Sequence, residues 1–321
     1  MTSSLGILLT NSGTPEAPTP PAVKAYLQEF LSDRRIVQLP RWLWLPILHS
    51  FILLTRPQKA AKLYEKIWTP EGSPMRVIMQ SLRNKLHRQT DLPIAIGMNY
   101  GTPSIAEGLH ALAQQGVEHI LVLPLYPQYS YTTTESSIDR VLIACKRSNQ
   151  FTKIRFTYVK GYAEDMHYLT ALANSIRPWL DATRHLVFSF HGIPQRFANK
   201  GDPYQQQCEQ TATALANALH LSPAQWTLGY QSQFGYDRWL QPALSNLLVE
   251  LPQRGILSLD VVCPGFAVDC LETLEEIALR SREIFMAAGG KSFRYIPALN
   301  DSDAQVAWLD LRIKRYQETG C

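Results

Sequence analysis

The chain has 321 residues, 45% hydrophobic and 18% charged, and its 31 Lys and Arg against 27 Asp and Glu leave a formal net charge of +4. So mild an excess excludes a nucleic-acid binder, and the apolar content excludes disorder, collagen and coiled coil; the length suits one large domain or two ordinary ones. Five scattered cysteines, Cys145, Cys208, Cys263, Cys270 and Cys321, form no CxxC pair, which argues for reduced structural thiols over a disulfide framework or a zinc ribbon.

Residues 1–10 lack a basic n-region, and their apolar run is too short for a secretory signal, so the mature chain is expected to start there and to be cytoplasmic. A first β-like run covers 6–10 and is followed by an unusually long crossover, about 15–92, read as an insertion that shapes a cleft. Within it, 42–55 reads WLWLPILHSFILLT between Arg41 and Arg56. Spanning takes roughly 18 or more apolar residues, and this run is shorter and carries Pro46, His49 and Ser50, so it does not cross a membrane. A buried core helix is preferred over an exposed apolar lip on a ligand pocket or against a bilayer.

Further β-like runs at 94–98, 119–124 and 154–159 complete a first series, and 185–190, 226–230, 256–262 and 293–296 form a second. Helical segments alternate with them, the pattern of parallel strands joined by crossover helices. Ser104-Ile-Ala-Glu107 is a capping box for a helix stopping near Gly116, and Asp202-Pro203-Tyr204-Gln205 offers an N-cap with Pro at the first helical position. A last helix, 302–317, places Val306, Leu309, Ile313 and Tyr316 on one face. The loops correspond as well, Gly13-Thr-Pro15 with Gly192-Ile-Pro194 and Tyr126-Pro127 with Cys263-Pro264. The expected fold is therefore α/β, with two similar Rossmann-like, doubly wound units, 1–160 and 161–321, around a central cleft at the strand carboxyl ends.

His191 ends an apolar strand and opens the turn Ser189-Phe-His-Gly-Ile-Pro194, a cleft-facing position, although for a lone histidine a core residue donating to a carbonyl is the commoner case. A helix starting near Asp269 would line Asp269, Glu272 and Glu276 along one face, with Leu271, Leu274 and Ala278 toward the core. Asp269-x-x-Glu272 is also a capping-box pattern that needs no chemistry. Both candidates lie at strand ends of one unit, so an imidazole and a carboxylate can face one cleft. That sparse N/O pair suits transient handling of a divalent first-row metal, or an acid and base for proton transfer. No GxGxxG, GxxxxGK or GxSxG pattern is present, and the aromatic, hydroxyl-rich loops 126–134 and 230–239 suit a large flat apolar ligand with polar edges.

Taken together, Leu9-Thr-Asn-Ser-Gly-Thr-Pro15, Leu125-Tyr-Pro-Gln-Tyr-Ser130, Ser189-Phe-His-Gly-Ile-Pro194, Tyr230-Gln-Ser, Trp239-Leu-Gln-Pro242 and Cys263-Pro-Gly-Phe-Ala-Val-Asp-Cys-Leu-Glu-Thr-Leu274 resemble the ferrochelatases over nearly the whole chain. The resemblance implies insertion of Fe2+ into protoporphyrin IX to make protohaem, the terminal step of haem biosynthesis. His191 matches the family's active-site histidine, as iron ligand or proton acceptor, and Glu272 the facing glutamate, with Asp269 and Glu276 continuing an acidic track. Arg56 and Lys59 match positions near the porphyrin entrance, and Ser12, Tyr64, Tyr129 and Trp239 would line the macrocycle. Ser12 departs from the larger residue common there. Tyr131 stands where clustered relatives carry cysteine, so no iron–sulfur cluster and no permanently bound cofactor are expected.

Implied partners are porphyrin, ferrous iron, an upstream porphyrinogen-oxidising enzyme and, peripherally, the inner face of a membrane. Coproporphyrin III is the runner-up substrate, though the apolar 42–54 segment favours the less polar protoporphyrin. A non-catalytic porphyrin carrier has no use for an acidic face, and a sugar-binding or glycosyltransferase reading leaves the aromatic loops unexplained.

Overall fold

The computed structural model describes residues 4–235 and 237–320. The expectations that rest on residues 1–3, Tyr236 and Cys321 lie outside them. Contacts divide the chain into two compact units, one running to Leu125 and resuming over Ser130–Gly161, the other comprising Tyr126–Tyr129 and Tyr162 onward.

The first unit holds β1 (Leu5–Gly13), β2 (Ile94–Tyr100), β3 (His119–Pro124) and β4 (Arg155–Tyr158), all parallel in the order β2-β1-β3-β4. The second holds β5 (His185–His191), β6 (Trp226–Gln231), β7 (Ser258–Val262) and β8 (Ser292–Ile296), parallel in the order β6-β5-β7-β8. The two orders are the same pattern. The central strands β1, β3, β5 and β7 are mostly apolar and buried on both faces, because helices cover both faces of a parallel sheet and leave no solvent side to alternate with. In the first unit Leu8, Ile120 and Val122 pack on Leu109 and Leu112 of the helix Ile105–Gln114; in the second, Val187, Leu259 and Val261 pack on Leu247 and Leu251 of the helix Leu244–Gln253. Each such side chain contributes about 1.5–3 kcal/mol by leaving water.

The duplication extends to the loops. After β2 the amide of Met98 donates to the Pro103 carbonyl at 2.7 Å, and after β6 the amide of Tyr230 donates to the Pro242 carbonyl at 2.9 Å, each just before the helix that returns along its sheet.

Three of the helix signals hold to within two residues. Ser104 and Glu107 form the expected reciprocal box, and Gly116 ends that helix at φ 71°. The helix Tyr204–Ala218 starts one residue later than expected, with Pro203 at the N-cap, yet Asp202 still accepts from the Tyr204 amide at 3.1 Å. The last helix, Asp303–Thr319, buries Val306, Leu309, Ile313 and Tyr316.

The 42–55 segment corrects the expectation of a core helix. It runs through the α-helix Arg41–Ile47, a π-helical turn Leu48–Ile52 and the start of the helix Leu53–Glu65. Only one side is buried: Leu48 and Leu53 pack with Leu31, and the Trp44 indole donates to the Leu31 carbonyl at 2.7 Å. On the other side Trp42 is 79% exposed, Phe51 63% and Leu54 62%, with Leu43 and Ile47 beside them. Apart from His49, Ser50 and Thr55 the segment is apolar, while the unit offers it only one face to bury, so large apolar side chains on the remainder meet solvent. Among the described residues no helix is long and apolar enough to cross a membrane.

Candidate active site

The candidate residues for chemistry, His191, Asp269, Glu272 and Glu276, lie in the second unit. His191 is the last residue of β5, at the carboxyl end of the sheet, and is only half-buried. Its Nδ1 lies 2.6 Å from the carbonyl oxygen of Gly192. A carbonyl only accepts, so Nδ1 carries the proton, and neutral His191 presents an unprotonated Nε2. Gly192 is required at this turn, because a Cβ there would lie 2.8 Å from the Gln231 carbonyl oxygen and 3.2 Å from the Trp239 ring. The indole of Trp239 donates to the Phe234 carbonyl at 2.9 Å, and the two rings stand 4.7 Å apart, a rigid aromatic wall beyond the turn.

The acidic segment departs from the expected helix. Asp269 lies outside it, and the short helix is Leu271–Leu274, capped by Cys270 with Thr273, one residue beyond the box foreseen. A π-helical stretch, Glu276–Ser281, follows at once. Its wider turn breaks the i, i+3, i+7 register, so the buried residues are Thr273, Glu275, Ile277 and Ser281 in place of Leu271, Leu274 and Ala278. The Ser281 hydroxyl donates to the Glu276 carbonyl at 2.7 Å.

The three acids accordingly have different surroundings. Asp269 is buried and accepts from Thr273 at 2.8 Å, from Asn300 at 2.7 Å and from the Tyr295 hydroxyl, a fully engaged anchor. Glu272 is half-exposed, and its carbonyl accepts from the Gln231 side chain at 2.8 Å. Glu276 accepts from both the amide and the hydroxyl of Ser232. Arg280 pairs with the buried Glu275 at 3.0 Å and comes within 4.0 Å of Glu276. Ser232, Glu276, Arg280 and Tyr230 border a hollow of about 140 Å³, enough for a few waters. Among the described residues no three His, Cys, Asp or Glu side chains converge on a metal position.

The other expected residues are placed separately. Tyr129 is half-buried, its amide donating to Gln207 at 2.7 Å. In the first unit Ser12 is half-buried at the end of β1, with its amide donating to the Asn11 side chain at 2.8 Å. Arg56 and Lys59 are exposed on the helix Leu53–Glu65, one turn apart. Tyr64 is buried edge-on to Tyr26 and Trp68 and holds that helix down. Burial pushes the thiols of Cys208, Cys263 and Cys270 well above their ordinary range, with the Asp269 carboxylate adding to the effect at Cys263 and Glu272 at Cys270; such thiols are unreactive. Gln231 and Ser232 were visible in sequence only as part of a Tyr-Gln-Ser run with no role attached.

Two matching parallel α/β sheets, one ending in an imidazole with a free nitrogen beside an acidic turn, define a two-unit fold of the chelatase type. Solved structures of that fold include the sirohydrochlorin chelatase SirB of Bacillus subtilis subspecies spizizenii with cobalt, at TM-score 0.57 and 14% identity over 98% of this chain and 96% of that one. A family model described as Ferrochelatase matches residues 4–316, and the ferrochelatases of Aeromonas hydrophila subsp. hydrophila (48% identical over 96% of this chain and 97% of that one) and Vibrio cholerae serotype O1 (48%, over 97% of each) are similar throughout. The chain belongs to the ferrochelatase family. It is a metal-chelating enzyme, a ferro-lyase that inserts Fe2+ into a porphyrin.

Proposed function

We propose that the porphyrin is protoporphyrin IX and that His191, Glu272 and Glu276 carry the exchange of its protons for iron. The observation that carries this reading is the Nδ1–H of His191 bound to the Gly192 carbonyl, which leaves Nε2 as a lone pair at the open end of β5. A free-base porphyrin holds two N–H protons at its centre, and Fe2+ enters only as both leave. The exchange is electroneutral, two protons for one divalent cation, so the protein's task is to bend the ring, take the protons one after another and guide the cation. Nε2 accepts a pyrrole proton or ligates iron, one at a time, and the half-exposed Glu272 with Glu276 beyond it supplies the complementary anionic route. Binding energy from the vinyl, methyl and propionate edges holds the ring distorted. Trp239 and Tyr129 supply apolar wall, Ser12 a polar contact, and the exposed Arg56 and Lys59 meet the propionates.

We further infer that the enzyme carries no iron–sulfur cluster and works in the cytoplasm with peripheral membrane contact. Scattered, mostly buried cysteines and Tyr131 support the first; purified protein should be colourless and free of iron and sulfide. The exposed apolar side of the 42–55 segment supports the second. Porphyrin supply falls to an enzyme that oxidises a porphyrinogen, the reduced form of the same ring.

Anaerobic mixing with protoporphyrin IX and Fe2+, following loss of free-base absorbance, tests the substrate. Insertion that requires His191 supports the reading. Insertion only into coproporphyrin III overturns the substrate, and insertion into protoporphyrin IX by the His191→Ala variant overturns the assignment of the residue.

A further inference from the structure

We propose that Gln231 and Ser232, the residues at and just beyond the end of β6, are positioning residues for iron insertion, acting as a clamp that fixes the acidic turn against the strand that ends in His191. The proposal rests on the reading above that Glu272 and Glu276 handle the cation and the protons.

Three connections converge on Gln231. It pairs in register with His191, its carbonyl accepts from the Gly192 amide at 2.8 Å, and its side-chain Nε2 donates to the Glu272 carbonyl at 2.8 Å. The other end of the amide is equally held, with Oε1 accepting from Ser189 at 2.7 Å and from the Cys263 thiol at 3.5 Å. A buried amide satisfied at both ends has one orientation only. It ties the backbone of Glu272 to the strand end that carries the imidazole. Ser232 then grips the far end of the turn, its amide at 2.8 Å from one Glu276 oxygen and its hydroxyl on the other. It does so at φ 64°, a backbone region that a serine adopts only at a cost. Ser232 sits one residue from Gln231, and their targets flank the point where the helix widens to π geometry. A widened turn lacks the stiffness of an α-helix, so without these grips the spacing of Glu272 and Glu276 relative to His191 would be loosely set.

Ser232→Gly isolates the effect. It removes the hydroxyl, keeps the amide donor and suits the positive φ, so the fold is not penalised. Gln231→Met, similar in size, removes the tie to Glu272. Initial rates are measured anaerobically with Fe2+ and protoporphyrin IX varied separately, beside thermal melting and a Glu276→Gln control. Ser232→Gly is expected to raise the KM for Fe2+ about tenfold, the worth of one hydrogen bond to a charged group, with the porphyrin KM unchanged and the Tm equal or higher. Gln231→Met is expected to lower kcat per folded molecule about tenfold with the porphyrin KM again unchanged. Wild-type Fe2+ KM in Ser232→Gly together with wild-type kcat in folded Gln231→Met would overturn the clamp while Glu276→Gln still fails. A silent Glu276→Gln would overturn the underlying role of Glu276 and, with it, the grip on that residue.

Discussion

One hydrogen bond decides what His191 can do. With Nδ1–H committed to the Gly192 carbonyl, Nε2 is the nitrogen left for the proposed role, and on that proposal removing the ring removes chemistry while leaving the apolar walls intact. His191→Ala should therefore lose iron insertion by at least about 10²-fold while still binding porphyrin, as read by absorbance titration of the folded variant. Glu272→Gln is expected to behave likewise with an unchanged melting temperature, because the helix cap here is Cys270 with Thr273, and Gln keeps an acceptor for the Cys270 thiol that Glu272 meets. Paired melting and rate measurements settle it: a fall in Tm with a normal rate per folded molecule would make Glu272 a capping residue after all. Asp269 is the opposite case. Three donors surround its buried carboxylate, so Asp269→Ala should cost about 1–3 kcal/mol of stability by leaving Tyr295, Thr273 and Asn300 without their partner. Sequence could not separate these two acids, since three residues apart they share one helical pattern. The distinction comes from a helix start two residues after Asp269 and from neighbours on β8 and the loop after it.

At the scale of elements, legibility followed the physics of burial. All eight strands overlap the β-like runs of the sequence, and the central ones are the plainest because a parallel strand covered on both faces has no solvent side to blur its pattern, whereas the edge strands β4 and β8 are only partly buried. The two π-helical turns were not legible, since nothing in composition marks one extra residue in a turn, and the acidic register failed for that reason. Two histidines that start strands have built surroundings that the sequence does not mark. His119, first in β3, donates through Nε2 to Thr157 at 3.0 Å while Nδ1 accepts from Arg155 at 2.9 Å; His185, first in β5, pairs through Nε2 with Thr227 at 2.8 Å. Desolvation, with Arg155 adding at His119 and Arg254 at His185, lowers both below their ordinary value of 6.5. A histidine whose folded pKa is depressed favours the neutral form in the fold, so its contribution is complete above pH 6.5 and is lost as the pH falls through 6.5 toward the folded value. The melting temperature should drop between pH 7 and 5, and His185→Gln, which keeps a side-chain amide near Thr227, should flatten that drop. An unchanged slope in the variant would assign the acid sensitivity to other groups.

Across the whole molecule, a duplicated sheet order accounts for most of the chain, and the long crossover of the first unit is what the second lacks. That crossover leaves Trp42, Leu43, Ile47, Phe51 and Leu54 in water on one side of a helix whose other side packs on Leu31. Sequence could not choose between core and surface here, because a mostly apolar helix looks the same whether its unit covers one face or both. The cations Arg56, Lys59 and Lys62 are exposed on the helix that continues it, and each contributes about 1 kcal/mol beside an anionic bilayer. Large side chains add about 1.5–3 kcal/mol apiece when buried in the interface. The protein should therefore sediment with vesicles containing phosphatidylglycerol more strongly than with phosphatidylcholine alone. Replacing both Trp42 and Phe51 by Glu should weaken that binding by on the order of 10²-fold or more, since at least about 3 kcal/mol of burial is lost. The same variant should melt as the wild type does, because neither side chain packs in the core: Trp42 is 79% and Phe51 63% exposed. Weakened sedimentation at an unchanged Tm assigns the face to a membrane surface. Undiminished sedimentation would show that the bilayer is held elsewhere on the protein and would detach this face from membrane contact.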